Sequence, residues 1–294
     1  MKIIDCHSHF DPEIKTVESI LESMKMNNIS RIALMSKVTH EPLYIKSLTL
    51  MSIQRNLLQH NFSRNILKTL DNSFHKADGD WNPWYRKLMG KSKKYKILLI
   101  PDNNTIFNLV NKYPSKFYGW LFLNPIAQDC EAEYSKYSKN KNLCGLKVHP
   151  FWHRYDILKI KPIISIARKN KLPIMIHLGF DNDKNIIDLI YSNSDINFIL
   201  SHCAFPYYLN LLKKIKNFKN FFVDLSSHHV DTKIIRNTIN LIGSDRCLFG
   251  VDDPYGGENM DKITIQSIEN LSIEQNQKED IFFNNFIRIY EKKI

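Results

Sequence analysis

The stretch Ile3–Phe10, IIDCHSHF, sets an aspartate and two histidines at alternate positions, Asp5, His7 and His9. Alternate side chains of a strand share a face. The spacing therefore predicts that these three point one way and Cys6 and Ser8 the other, with Cys6 in the core. Paired imidazoles at a strand end supply nitrogen ligands for a divalent ion once other ligands arrive from elsewhere. The rest of the chain offers them: Lys147 and His149 in GLKVHP, His177 in IMIHLG, His202 in ILSHCAF, Asp224 in FFVDLSS and Asp252 in LFGVDDP. Each follows an apolar run. One buried histidine is ordinarily satisfied by a carbonyl, but the same position repeated in run after run favours a shared site. Imidazole suits zinc and related ions, and a single carboxylate adds charge without closing the shell. The open position then activates a water, whose proton a carboxylate can take and later pass to a leaving group. Asp252 is the candidate for that proton transfer, and His202 for positioning or polarising the electrophilic group.

Such side chains converge only if the apolar runs end on one face. Strand-like runs occur at IIDCHSHF, RIALMS, FYGWLFLNP, CGLKVHP, LPIMIHLG, NFILSHCAF, NFFVDLSS and RCLFGVDDP, and helix-periodic segments lie between them. Strand-then-helix repeated about eight times is the pattern of a parallel (β/α)8 TIM barrel, whose strands all open their C-terminal ends onto one face. The rhythm breaks between residues 38 and 116. Helix-like stretches there surround an aromatic knot, DWNPWYRKL, while KYKILLIP fits either a strand or a buried helical turn. This region reads as a helical insertion between strands 2 and 3, lying over the barrel mouth, within a single domain of residues 1–294. Trp81, Trp84 and Tyr85 either roof the site or pack the cap. FWHRY (151–155) and SSHH (226–229) lie just past strand ends, where they could shape the pocket.

Composition narrows the function classes. The net charge is +11, but lysines such as Lys91, Lys93, Lys94, Lys96, Lys213, Lys214, Lys216 and Lys219 are dispersed among Asn and Ile. A nucleic-acid partner needs the charge gathered on one surface, so none is expected; the field instead suits a small anionic substrate. No apolar run is long enough to span a membrane, and no secretory pattern opens the chain. Five cysteines without regular spacing fit a reducing compartment, so the expected location is cytoplasmic.

Taken together, DCHSHF, GLKVHP, IMIHLG, ILSHCAF, GVDDP and NNFIRIY resemble the amidohydrolase superfamily. The likeness is to its amidohydrolase-related branch, which includes aminocarboxymuconate-semialdehyde decarboxylase and resorcylate decarboxylases as well as hydrolases. It covers nearly the whole chain outside 38–116. The resemblance implies a barrel whose metal is held at positions matching His7, His9, His177 and Asp252, with His202 either binding a second metal or acting in catalysis. The family's G-S-D-x-P motif has Val251 in place of its serine, although Asp252 and Pro254 remain. Zinc is the expected ion, with manganese, iron and cobalt as alternatives sharing these ligands. One ion per chain is favoured over two. Lys147 is open among three roles: a carboxylated metal bridge, a substrate-binding cation beside His149, or an ion pair with a carboxylate such as Asp224. The expected activity is hydrolysis of a C–N or C–O bond in an amide, lactam, lactone or ester. Non-oxidative decarboxylation is the alternative. A TatD-type nuclease ranks below both, because that family has a glutamate where this chain has GLKVHP; a barrel that merely binds a ligand has no need of a base beside a metal. A homodimer is what the resemblance implies.

Overall fold

The computed structural model describes residues 1–39, 48–74, 79–88, 96–257 and 259–291. Of the 38–116 region, residues 40–47, 75–78 and 89–95 lie outside the described residues, as does the side chain of Tyr85. Eight parallel strands pair in sequence order: β1 (Ile3–Phe10), β2 (Ile29–Ser36), β3 (Phe117–Phe122), β4 (Leu143–Val148), β5 (Ile174–Ile176), β6 (Phe198–Leu200), β7 (Phe221–Asp224) and β8 (Cys247–Leu248). The two ends of the sheet meet where β1 bonds to the chain running out of β8. Cys6 N–H donates to the Phe249 carbonyl (3.0 Å), Asp252 N–H to that of His7 (2.7 Å) and His9 N–H to that of Asp253 (2.6 Å). The architecture is the expected (β/α)8 barrel.

Strand alternation sorts the apolar side chains into two groups. Ile4, Cys6, Met35, Trp120, Met175 and Leu248 form the barrel interior, plugged by Phe286 and Ile289 of the last helix. Ile3, Ile32, Leu34 and Leu121 face the surrounding helices. Helix α1 (Val17–Met26) shows how these are built. Thr16 caps its first turn by accepting from Ser19 N–H, and Ile20 and Met24, four residues apart, bury one face. Gly145 is required for packing. It sits at a register shift between β3 and β4, and a Cβ there would lie 2.3 Å from the Trp120 ring.

The alternation expected of β1 is broken. Asp5 pairs with Ile32 but Ser8 with Leu34, so β1 spends three residues where β2 spends two. This bulge separates Asp5 from the face of His7 and His9. Its carboxylate accepts from Ser8 Oγ (2.5 Å), His7 N–H (3.0 Å) and Val251 N–H (3.1 Å), stapling β1 to the segment after β8. Cys6 is buried in the interior, as expected of a core residue.

Between β2 and β3 run α2 (Leu48–Leu58), α3 (Asn61–Phe74), α4 (Pro83–Leu88) and α5 (Asn103–Lys112). In KYKILLIP, Ile97 forms an antiparallel bridge with Thr39. The insertion contacts loops that follow strands. Arg55 of α2 pairs with Asp231 (2.9 Å), Asp71 of α3 pairs with Arg154, and Trp81 meets Trp152 edge-on at 5.6 Å. No helix among the described residues is long and apolar enough to cross a membrane.

Candidate metal and acid–base site

His7 and His9 enter the barrel mouth from β1, each with Nδ1 engaged. His7 Nδ1–H donates to Asp224 Oδ2 (2.9 Å) and His9 Nδ1–H to the Ser36 carbonyl (2.6 Å). A carboxylate and a carbonyl only accept, so both rings carry the proton on Nδ1 and turn an Nε2 lone pair inward. Asp252 faces those lone pairs. Its Oδ1 lies 3.6 Å from His7 Nε2 and 3.8 Å from His9 Nε2, and its Oδ2 lies 3.8 Å from His202 Nε2. These separations exceed hydrogen-bond length, leaving electron-rich atoms aimed at one another across a gap.

Asp224 holds the other side together. Besides His7, it accepts from His202 N–H (3.0 Å), Ser226 N–H (3.2 Å) and Ser226 Oγ (2.5 Å). The Ser226 hydroxyl, having spent its proton on Asp224, accepts from His202 Nδ1–H at 2.8 Å. One carboxylate thus fixes the tautomer of two imidazoles, directly for His7 and through Ser226 for His202. The backbone is held in unusual shapes here. His202, Cys203 and Ala204 have φ of 56°, 53° and 64°, and Asp252 has 65°. Left-handed non-glycine residues cost ~1–2 kcal/mol each and persist where surrounding bonds over-determine them. The Asp224–His202 and His7–Asp252 backbone contacts do so.

The donor set fits a divalent cation. The ligand atoms of His7, His9 and Asp252 lie within 4.8 Å of one another, as do those of His7, His202 and Asp224. His177 stands beside them: its ring is 4.9 Å from that of His202 and stacks on His149 at 4.1 Å, while its Nδ1–H donates to the Leu178 carbonyl (3.3 Å). His149 Nδ1 accepts from Trp152 N–H (3.1 Å), capping the turn that follows β4. Lys147 is fully buried on β4, and its Nζ donates to Ser201 Oγ (3.0 Å) rather than to Asp224. Of the expected aromatic roof, Trp81 is buried and Trp84 is largely exposed.

With this geometry, comparison with known proteins places the chain. An amidohydrolase family model matches residues 101–292, from α5 to the last helix. The chain belongs to the amidohydrolase family. It is 24% identical over 170 residues to protein fluG of Emericella nidulans, a match covering 48% of this chain and 20% of that protein. The chain thus spans about a fifth of the length of that curated relative. Its fold is similar to an uncharacterized TIM-barrel protein from Bordetella bronchiseptica, at 14% identity over 100% and 99% of the two chains and a TM-score of 0.66. It is also similar to a dihydroxybenzoic acid decarboxylase from a Polaromonas species with bound manganese and an inhibitor, 2-nitroresorcinol (15% identity, 99% and 97%, TM-score 0.59). A further likeness is to 4-oxalomesaconate hydratase from Rhodopseudomonas palustris (14% identity, 99% and 96%, TM-score 0.59).

Burial sets the protonation of this amidohydrolase's site. Desolvation, then the Lys147 charge, lowers His7 and His9 to about 3, and burial takes His149, His177 and His202 well below their usual range. At neutral pH this leaves Nε2 lone pairs on His7, His9, His177 and His202, while the His149 lone pair is taken up by Trp152 N–H. Burial pushes Lys147 down to about 8, against the pull of Asp224 and Asp252. Burial also opposes ionisation of Asp224, but the facing His7, then His202 and Ser226, hold it well below the carboxylate range. Asp252, buried and beside Asp224, moves the other way, well above it. Sequence reasoning placed Ser226 only within SSHH as a shaper of the pocket, without its bonds to Asp224 and His202, and missed Ser201, the Ser36 carbonyl and Tyr255, whose ring lies 5.1 Å from that of His9. The link of Ser226 to Asp224 was findable, because the two share one face of the alternation; the others carry no local signal.

Proposed function

We propose that the chain is a metal-dependent hydrolase that cleaves a C–N or C–O bond (amide, lactam, lactone or ester) of a small anionic molecule. The observation that carries this reading is Asp252, whose two oxygens face the Nε2 lone pairs of His7, His9 and His202. His7, His9 and Asp252 would hold the ion, zinc in our reading, with His177 as the further ligand. A bound divalent ion would supply Lewis acidity, bringing a water's pKa toward ~7 and polarising the scissile group. Asp252, its pKa raised by burial, takes the proton of the attacking water and returns it to the leaving nitrogen or oxygen. His202, neutral with its Nε2 lone pair turned toward Asp252, positions the reacting group beside that carboxylate. Lys147, in its cationic form, and the outer nitrogen of His149 receive the substrate's anionic group.

A second reading, non-oxidative decarboxylation, is favoured by the rings around the histidines. Phe122 lies 6.5 Å from His9, and Phe151 and Phe205 each lie 5.4 Å from His177, which suits a planar unsaturated acid. The manganese-bound neighbour of similar fold is a decarboxylase of that kind. In this case Asp252, which burial holds in a protonatable range, delivers its proton to carbon. The test is zinc- or manganese-loaded protein against amides, lactams, lactones and esters with carboxylic acid release as readout, and against aromatic acids with CO2 release as readout. Metal-dependent acid release that Asp252→Asn abolishes is the expected result. CO2 release instead selects the second reading, and bound metal with neither activity across the panel contradicts both.

A further inference from the structure

The segment after β7 carries two imidazoles that the acid–base site does not use. His228 and His229 follow Ser227, whose φ of 85° turns the chain. Their rings lie 4.0 Å apart. The main chain around them is engaged: Arg55 donates to the His228 carbonyl (3.5 Å), the Tyr208 hydroxyl to that of His229 (3.3 Å), and His229 N–H to Ser227 Oγ (3.3 Å). The rings are not. Both ring nitrogens of His228 and Nδ1 of His229 are buried with no hydrogen-bond partner among the described residues. The Tyr255 backbone lies beside His228 but outside hydrogen-bonding geometry. Buried polar atoms in proteins are nearly always paired, and adjacent exceptions call for a specific explanation.

Their place supplies one. Phe205 stacks on His229 at 4.6 Å and meets His177 at 5.4 Å, so one phenyl ring separates the pair from His177. On the other side Tyr255 lies against His228 with its backbone and against His9 with its ring. The pair therefore sits on the same face of the barrel, with Phe205 between it and His177 and Tyr255 between it and His9. We propose that His228 and His229 form a recognition subsite for a second carboxylate, making the substrate a planar dicarboxylate whose reacting end lies at His7, His9 and Asp252. This deepens the proposed function and rests on it. Burial keeps both rings neutral, so each has one N–H to donate. The Arg55 guanidinium, tied to Asp231, adds the positive field that selects an anion over a neutral amide.

The test is calorimetric binding of benzoate, isophthalate and terephthalate to the zinc-loaded full chain. At least one diacid binds about tenfold tighter than benzoate, as hydrogen bonds to a charged group allow. In a His228→Phe/His229→Phe chain that preference falls below about threefold, while zinc content and benzoate affinity are unchanged. Should that chain fail to fold, the His228→Leu/His229→Leu chain, which likewise has no side-chain donor, is read the same way. Diacids no tighter than benzoate in the wild type, or a preference that survives either double substitution, overturn the subsite and leave the proposed function standing. If benzoate and both diacids all fail to bind, the anionic-substrate reading falls and the subsite with it.

Discussion

The barrel interior is apolar at one height and ionisable at the next. Ile4, Cys6, Met35, Trp120, Met175 and Leu248 fill the floor, with Trp120 Nε1–H donating to the Cys6 carbonyl (2.9 Å). One step further along the same strands stand His7, His9, Lys147, His177, His202 and Asp224, nearly all as inaccessible as the floor. The two layers therefore differ in how polar atoms are satisfied, not in depth. The floor needs almost no polar bonds. In the upper layer Asp224, Ser226 and the Ser36 and Leu178 carbonyls accept from Nδ1 of His7, His202, His9 and His177 and leave each Nε2 free, while Ser201 accepts from the Lys147 ammonium. The dry floor is what desolvates that layer, keeping imidazoles neutral and Asp252 protonatable. The comparison teaches that the site's chemistry is set from below by packing and from the side by second partners.

The largest effect expected is on the upper layer alone. Asp252→Asn should lower metal-dependent turnover by roughly 10³-fold and leave the thermal unfolding of metal-free protein close to wild type. Rate assays beside calorimetry check this, and equal turnover would remove Asp252 from proton transfer. The reciprocal break is in the floor. Trp120→Ala should cost ~3–5 kcal/mol of stability in denaturant unfolding, with metal stoichiometry unchanged in the fraction that stays folded.

The strands, their order and the ionisable residue at most strand ends were legible in the sequence because apolar runs and their alternation are local. The bulge in β1 was not. It depends on how Asp5 and Ser8 register against Ile32 and Leu34 of β2, which no spacing within IIDCHSHF reveals. Asp224 was visible as a strand-end carboxylate and was open to pairing with Lys147. Its bonds to His7, His202 and Ser226 follow from which neighbours a closed barrel brings together. The insertion was legible as helical, but its contacts with Asp231, Arg154 and Trp152 span distant parts of the chain.

Two smaller effects sharpen the contrast. His153, buried and donating to the Leu98 carbonyl (3.0 Å), is lowered by that burial from 6.5 to about 4. Between those values the unfolded chain takes a proton that the folded chain refuses. Stability is thus full above pH 6.5 and lost as pH falls toward 4, by about 3 kcal/mol for this group. A His153→Gln chain should show a correspondingly flatter pH dependence in denaturant melts of the metal-free protein. Asp224→Asn should weaken metal affinity by about 10–100-fold, because an amide cannot accept from every group the carboxylate serves. Competition against a chelator of known affinity measures it, and unchanged affinity would make Asp224 a packing residue only.

The most direct test of the central claim, that the upper layer is a metal site, is elemental analysis of the purified, untagged chain beside a His7→Asn/His9→Asn chain. The account predicts close to one equivalent of zinc or manganese in the wild type and almost none in the double variant. No metal in the wild type after reconstitution, or equal metal in both, would contradict it.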